Sequence, residues 1–347
     1  MSVLDLISRR AVKLAGGHPQ DSALVDFFSY SDTSTGVAVT EATSLQVAAV
    51  YACIRVLSED CAKLPLILYQ RLDPRGKRRM DTHRLYRLLH DAPNPEMTSY
   101  RFRQALTAAT LRQGNGYAEI QRDGAEMPAA LWPIESNRVR PHREGGRLLY
   151  DVHDPEGRKR TLQQRDVFHL RGLGGDGIIG WSIVRFARET IGTAIATERF
   201  TGRFYANNAQ GGGFLKHPGA LSDKAYERLQ DSMKERWQGT ENAYRPKILE
   251  EGMDWKDSTM PAEDAQFLES RQFTVEEICR WFRVPPHKVQ HLLRATFNNI
   301  EHLSLEYVTD SLMPWLVNWE QEIKQALISP ERPDLFAEHL VTGLLRG

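Results

Sequence analysis

Residues 180–215 read GWSIVRFARETIGTAIATERFTGRFYANNAQGGGFL, and the rest of the chain is organised around this stretch. Apolar side chains recur at helical spacing from Trp181 to Tyr205, which predicts one long helix of about seven turns. Asn207-Asn208 and the three glycines that follow predict its end. A compact insert then begins with a predicted strand at Phe214 to Lys216.

The chain before this helix mixes helices with short strands. Residues 1–43 are rich in Gly, Ser, Thr and Asp and indicate a flexible arm. Ser44 is the predicted N-cap of an amphipathic helix that Pro65 ends. A hairpin, two helices and several short strand-like segments up to residue 171 follow, and the strands predict a small antiparallel sheet. The first half is therefore α+β.

The insert and the last part of the chain are mostly helical. Ser222 is the predicted cap of a helix to Trp237, and a strand is predicted at Pro246 to Glu250. A helix is expected from Pro261 to Arg271, restarting at Thr274, where a capping box leads to the stop at Pro285-Pro286. The last long helix runs from Ile300 to Leu327, with a kink at Pro314.

Composition excludes several classes of protein. The 347 residues carry 45 basic and 45 acidic side chains, so a globally basic DNA coat is excluded. Three cysteines are too few for a disulfide scaffold, and this favours a reduced intracellular setting. No apolar run is long enough for a membrane span, and the amphipathic residues 1–14 indicate an arm helix more than a surface anchor.

The motifs that could carry chemistry are weak. Gly172 to Gly177 lacks the Gly-Lys-Ser/Thr ending of a phosphate loop and indicates a connector. His287 and His291 have the spacing of two zinc ligands, but no glutamate lies at the position a metalloprotease needs. The cysteines fall among apolar residues, as core side chains do. We therefore expect no enzyme activity, no cofactor and no metal.

The order of short motifs resembles that of the portal proteins of tailed bacteriophages, in particular the siphophage portal family. The resemblance spans about residues 44–347, and many motifs in the family's order carry it. In the first half they are Val50 to Arg55, Leu64-Pro65-Leu66, Leu89 to Pro95 and Gly114 to Ala118. In the second half they are Gly180 to Ser182, Ala187 to Gly192, Glu198 to Phe200, Arg203 to Ala209, Gly213 to Leu215, Leu221 to Asp223, Leu249 to Met253, Ala262 to Glu269, Phe282 to Pro286, Thr296 to Glu301 and Pro314-Trp315.

The resemblance implies a fold and a domain order. We expect an α+β portal fold with a wing at 44–178, a first stem helix at 179–209, a small α/β clip at 210–260 and a second stem helix at 261–283. A tunnel loop at 284–299 and a kinked wing helix at 300–347 follow, after an N-terminal arm at 1–43. In this family the final residues 344–347 usually continue into a helical tail, so we expect a C-terminal crown to begin there.

The resemblance also implies a role and partners. Twelve copies would form a ring at one capsid vertex, through which double-stranded DNA is packaged and ejected. Other expected partners are the terminase large subunit, a head-tail adaptor and the capsid or scaffold protein, with no membrane. The expected location is the virion, and the host cytoplasm during assembly. The DNA-facing candidates are Lys288, His291, Arg294, Asn298 and Asn299. The adaptor or terminase candidates on the clip are Lys224, Arg228, Lys234 and Arg236.

Two other classes of protein stay open at this stage. A DNA-processing enzyme such as a nuclease would need clustered carboxylates that bind Mg²⁺. A monomeric nucleic-acid-binding module would show steeply salt-dependent affinity. For the loop cations, DNA contact and plain solvent exposure are equally good interpretations. Solvent exposure is the commoner role for the insert cations. Trp237, Trp255, Trp281, Trp315 and Trp319 are candidates for contacts between subunits, although core packing accounts for most tryptophans.

Overall fold

The computed structural model describes residues 33–206, 213–236, 252–257, 264–292 and 297–341. The chain divides into two compact units. The larger unit comprises Met1–Ile191 together with Val275–Gly347, and the smaller comprises Gly192–Thr274.

The larger unit begins with two helices and a hairpin. Helix α1 spans Ala48–Lys63, strands β1 and β2 span Leu66–Arg71 and Lys77–Arg79, and helix α2 spans Ser99–Gln113. Between β2 and α2, a short helix, Arg84–Tyr86, continues as a π-helical turn, Arg87–Asp91. Thr98 caps α2 by accepting a hydrogen bond from the Arg101 amide. These elements confirm the predicted helices and hairpin.

The cap predicted at Ser44 is wrong. A separate short helix, Glu41–Ser44, precedes α1, and its cap is Thr40. The Ser44 hydroxyl donates back to the Glu41 carbonyl at 2.8 Å, and Val47 takes the N-cap position of α1 with no side-chain hydrogen bond. A serine before an apolar stripe predicts a cap, but it can equally end the preceding turn.

Six further strands form two sheets where the sequence predicts one. They are β3 (Asn115–Arg122), β4 (Pro128–Ile134), β5 (Val139–Glu144), β6 (Arg147–His153), β7 (Lys159–Gln163) and β8 (Val167–Arg171). One sheet has the strand order β4-β3-β8 and the other β5-β6-β7, with antiparallel pairing throughout. Strands β5 and β7 escape prediction because they are mostly polar.

The predicted long helix is broken near its start. A short helix, Ile183–Phe186, is followed by helix α3, Arg188–Ala206. In the smaller unit, strand β9 (Gly213–Lys216), helix α4 (Asp223–Arg236) and strand β10 (Asp254–Asp257) come next, and β9 pairs with β10. The strand predicted at 246–250 lies outside the described residues. Helix α5 spans Asp264–Phe282 without interruption, so the restart predicted at Thr274 is wrong. The Thr274 hydroxyl donates to the Ser270 carbonyl at 2.9 Å, which is helix-interior bonding.

The larger unit closes with its C-terminal segment. A 3₁₀ turn, Pro286–Val289, leads to helix α6 (Phe297–Glu306), a π-helical turn (Tyr307–Leu312) and helix α7 (Met313–Leu327). Pro314 lies in the first turn of α7, where its missing amide N–H needs no partner, and the π turn before it accommodates the interruption. Strand β11 (Leu335–His339) then pairs with β1, so the sheet order is β11-β1-β2.

The core of the larger unit joins segments distant in sequence. The rings of Phe102, Phe168 and Trp319 lie 5.4 to 6.5 Å apart. The indole N–H of Trp319 donates to the Thr107 hydroxyl at 3.0 Å, which satisfies its one polar atom. Trp319 is thus a core residue and not a subunit contact. Among the described residues, no helix is long and apolar enough to cross a membrane.

Candidate functional site

The cysteines and histidines considered as catalytic or metal-binding candidates lie at buried or half-buried positions. Cys53, Cys61 and Cys279 are buried free thiols, and burial raises the pKa of the Cys61 thiol to about 12. His291 faces Glu276 at 3.8 Å, and burial lowers the pKa of His287. Within the described ranges, no group of three or more potential ligands could hold a metal ion.

Gly172, Gly174 and Gly180 serve close backbone packing. A Cβ atom at Gly180 would overlap the carbonyl oxygen of Gly114, and one at Gly174 would overlap that of Ile179. Gly172 donates its N–H to the Gly114 carbonyl at 2.8 Å. These glycines are needed where two backbone segments touch, so the connector interpretation explains them without a phosphate.

A buried polar network fixes residues 172–180, the connector, to the β4-β3-β8 sheet. The Asn115 side chain exchanges two hydrogen bonds with the Gly180 backbone, at 2.8 and 2.9 Å. The same Asn115 oxygen accepts from Nε2 of His169 at 2.9 Å, and Nδ1 of His169 lies 3.2 Å from the Tyr150 hydroxyl. Burial first and the Arg171 charge second lower the pKa of His169 well below its ordinary value. The ring is therefore neutral at pH 7, with Nε2–H donating to Asn115 and Nδ1 accepting from the Tyr150 hydroxyl.

An ion pair joins β8 to the last helix. Arg171 donates to Glu322 at 2.6 Å, and the two side chains are only 16% and 11% exposed. Burial raises the pKa of Glu322. Burial is also the largest influence on Arg171 and lowers its pKa, but the Glu322 carboxylate and Tyr150 together offset burial and raise the Arg171 pKa. The Asn318 side chain also donates to the Arg171 carbonyl at 2.6 Å. Strand β8, from which the connector leaves, is thus held firmly on α7.

The segment predicted as a tunnel loop is partly folded onto the protein. Its backbone turns where Arg283 and Gln290 take left-handed conformations, with φ of 54° and 65°. The Lys288 ammonium lies 4.7 Å from the centre of the Tyr307 ring, and the His291 side chain is 15% exposed beside Glu276. Asn298 and Asn299 lie in the first turn of α6. Arg294 lies outside the described residues.

The insert helix presents separate charged rows. Lys224 and Arg228, four residues apart on α4, are exposed. Asp223 and Glu227 form the adjacent acidic row. Lys234 and Arg236 lie in the last turn of the same helix.

Sequence reasoning missed one exposed apolar surface. Leu173, Trp181, Phe186 and Trp281 are 81%, 45%, 53% and 45% exposed. Trp181 opens the apolar series from which the sequence predicts a buried helix face, but in the structure it lies before the short helix Ile183–Phe186, and the sequence pattern does not include Phe186. Trp281 is one of the tryptophans proposed from the sequence as contacts between subunits. Of the others, Trp315 is half-buried and Trp237 lies outside the described residues.

Comparison with known proteins gives consistent matches. The model of the family described as phage portal protein matches residues 48–347. The chain is 32% identical over 308 residues to the portal protein of Enterobacteria phage HK97, covering 87% of this chain and 72% of that protein. The structure of an HK97 family phage portal protein from Corynebacterium diphtheriae aligns with a TM-score of 0.66 at 18% identity, covering 88% of this chain and 96% of that one. A chain in the neck of a native gene transfer agent particle, computed with C12 symmetry, aligns with a TM-score of 0.59 at 22% identity, covering 96% and 89%.

Proposed function

Because this chain belongs to the phage portal protein family, and is thus a structural connector and not an enzyme, we propose that twelve copies form a ring at one capsid vertex. The similar fold of a chain from a neck computed with C12 symmetry is the observation that carries the proposal. In the ring, DNA would pass through the centre during packaging and ejection. The protein would lie in the host cytoplasm during assembly and in the virion afterwards.

The proposed division of labour follows the order of elements. Residues 44–178 would form the wing, α3 and α5 the two stem helices, and the insert between them the clip. The insert supports this because β9, α4 and β10 belong to one compact unit, Gly192–Thr274, with its own paired strands. Residues 284–299 would face the channel, and α6 with α7 would return to the wing.

The proposed DNA contact is sparse. Lys288, His291, Arg294, Asn298 and Asn299 would supply passing phosphate contacts. Two of them already interact with Tyr307 and Glu276, which leaves a weakly basic loop. Because each phosphate contact strengthens binding, a conduit needs few of them, and the neutral net charge of the chain suits sliding DNA.

The proposed docking surface for terminase and the head-tail adaptor is the insert. Lys224 and Arg228 are exposed together on α4, and Lys234 and Arg236 continue the basic residues along that helix. Charges at the rim of an interface mainly tune association rate and specificity. We therefore assign these residues to partner selection.

The test is the native mass of the purified 347-residue chain, by light scattering, together with negative-stain images. Rings with a central hole and about twelve times the 39.6 kDa chain mass are the expected result. Monomers at every concentration, with or without capsid and scaffold proteins, would contradict the proposal. Metal-dependent cleavage of plasmid DNA would favour a nuclease, and steeply salt-dependent DNA binding by monomers would favour a binding module.

A further inference from the structure

Four exposed apolar side chains lie close together where the connector joins α3. We propose that this aromatic patch, Leu173, Trp181, Phe186 and Trp281, is a binding surface for a second copy of this chain in the ring. The inference rests on the proposed function and names residues through which neighbouring subunits of the ring would contact each other.

The patch is held in shape by the backbone beneath it. The Trp181 amide donates to the Leu173 carbonyl at 2.6 Å, which holds these two backbone positions next to each other. A Cβ atom at Gly175 would lie 2.8 Å from the Trp181 ring, so the glycine lets the loop close against the indole. The Trp181 and Phe186 ring centres are 5.5 Å apart. A rigid surface loses little entropy on binding.

Trp281 extends the patch along α3. Its indole N–H donates to the hydroxyl of Thr190 at 3.3 Å. Thr190 lies in the first turn of α3, four residues after Phe186, so the three aromatic side chains follow one another along the helix start. With its N–H already satisfied, the exposed part of Trp281 offers apolar contact only.

The exposed area suits one face of a protein interface. A large aromatic side chain presents about 150 to 250 Å² when fully exposed, so four side chains exposed at 45% to 81% present roughly 400 to 500 Å². A stable interface needs about 800 Å² from each partner. The patch can therefore supply the apolar centre of such a face, where tryptophan is enriched among the residues that dominate affinity.

A second copy is the occupant that the observations favour. A ring with twelvefold symmetry places an identical neighbour on both sides of every subunit, and each subunit must contribute two different faces. The residues proposed to bind the adaptor or terminase belong to the smaller unit, whereas all four residues of the patch belong to the larger one. The ring neighbour is thus the partner expected to cover it.

The first experiment compares ring formation by full-length variants. The double variant W181S/F186S should raise the subunit concentration at which half of the protein is in rings at least tenfold. Matched controls are Val317→Ser on α7 and Tyr226→Ser on α4, because both side chains are exposed and outside the patch. In these two control variants, the subunit concentration at which half of the protein is in rings should stay within about twofold of the wild-type value. Unchanged circular dichroism and thermal transitions would show that the double variant still folds.

The second experiment measures whether the patch is covered. All three native cysteines are buried, so Leu173→Cys introduces one accessible thiol. Its alkylation by a maleimide should be at least tenfold slower in rings than in monomers obtained by dilution. Tyr226→Cys serves as the control that should react equally in both states.

The outcomes separate this inference from the proposed function. Wild-type rings with a normal midpoint for W181S/F186S and equal labelling of Leu173→Cys would overturn the patch and leave the ring intact. Protection of L173C by an added adaptor alone would also overturn it. Wild-type protein that never forms rings would overturn both.

Discussion

The side-chain amide of Asn115 pairs with the backbone of Gly180 through two hydrogen bonds, one in each direction. Asn115 is the first residue of β3, whereas Gly180 lies 65 positions later at the end of the connector. The amide thus acts as a strand partner for a segment that belongs to no sheet. The path of the chain into the short helix before α3 depends on this contact.

Gly180→Ala should destabilise the larger unit. Its Cβ would overlap the Gly114 carbonyl oxygen, and that atom is backbone and cannot swing away. Asn115→Leu should also be destabilising, by about 2 to 4 kcal/mol, because it leaves buried peptide groups without partners. Urea unfolding followed by circular dichroism measures both.

The matched glycine control lies in α3. A Cβ at Gly202 meets nothing within 4 Å, and the residue is exposed inside a helix. Gly202→Ala should therefore raise the free energy of unfolding by about 0.5 to 1 kcal/mol. If Gly180→Ala raises the free energy of unfolding as Gly202→Ala does, the close contact between Gly180 and the Gly114 carbonyl oxygen is contradicted.

Stability should fall on mild acidification because of His169. Its folded pKa is depressed by burial, so the folded state holds the ring neutral while the unfolded state binds a proton below about pH 6.5. The unfolded state then binds more protons, and the free energy of unfolding decreases as pH falls through this window, by up to about 1.4 kcal/mol per pH unit. Chemical denaturation between pH 7.5 and 5 measures the slope.

His169→Gln is the control for that slope. Glutamine can hydrogen-bond with Asn115 but cannot titrate. The slope of the free energy of unfolding against pH between 7.5 and 5 should therefore fall by the contribution of about one proton. Asp334 gives a separate signal at lower pH. Its pKa is lowered to about 2, first by the hydrogen bond from Arg332, and its contribution is lost only below about pH 4. An unchanged slope in the glutamine variant would show that other histidines dominate.

Local patterns predicted the elements of the larger unit better than their arrangement. The apolar stripe of α1, the Pro-Gly hairpin and the stop at Pro285 follow from spacing and backbone chemistry, and the structure confirms them. The split of the strands into two sheets, and the pairing of β11 with β1, depend on contacts between distant segments. No local pattern encodes those contacts.

The candidate site was less predictable for a related reason. The sequence shows which residues carry charge, but not that Lys288 lies over Tyr307 or that His291 faces Glu276. It also hid the aromatic patch, because Trp181 opens a predicted apolar helix face and nothing in the pattern singles out Phe186 or Leu173. In the structure both aromatic side chains are exposed, Trp181 before the short helix Ile183–Phe186 and Phe186 at its end.

Arg171 and Glu322 should show strong coupling in a double-mutant cycle. Arg171→Met or Glu322→Leu alone leaves a nearly buried charge without its partner and should cost about 3 to 5 kcal/mol. The double variant R171M/E322L replaces both charges with apolar groups and should cost far less than the sum. Guanidinium unfolding of the four proteins measures the coupling energy. Additive costs would show that the pair contributes little.

Charge reversal on the insert should change partner binding without changing the ring. K224E/R228E removes the exposed basic row of α4, so we expect severalfold slower association with terminase or adaptor and a weaker salt dependence. Ring mass and thermal stability should stay constant. D223K/E227K reverses the adjacent acidic row as a matched control, and an equal loss in both variants would argue against a specific basic contact.

Removing the loop cations should change the affinity of the ring for DNA and leave ring formation unaffected. K288Q/H291Q/R294Q takes away the charges proposed to touch phosphates, so the dependence of duplex affinity on salt should become shallower while ring mass stays the same. Fluorescence anisotropy of a labelled duplex across a salt series measures the slope, with K224E/R228E as the control that should not alter it. A wild-type dissociation constant well below about 10⁻⁶ M at physiological salt would contradict the conduit, since DNA held that tightly would resist sliding. An unchanged slope in the triple variant would instead show that the phosphate contacts lie outside this loop, because every phosphate contact contributes to the slope.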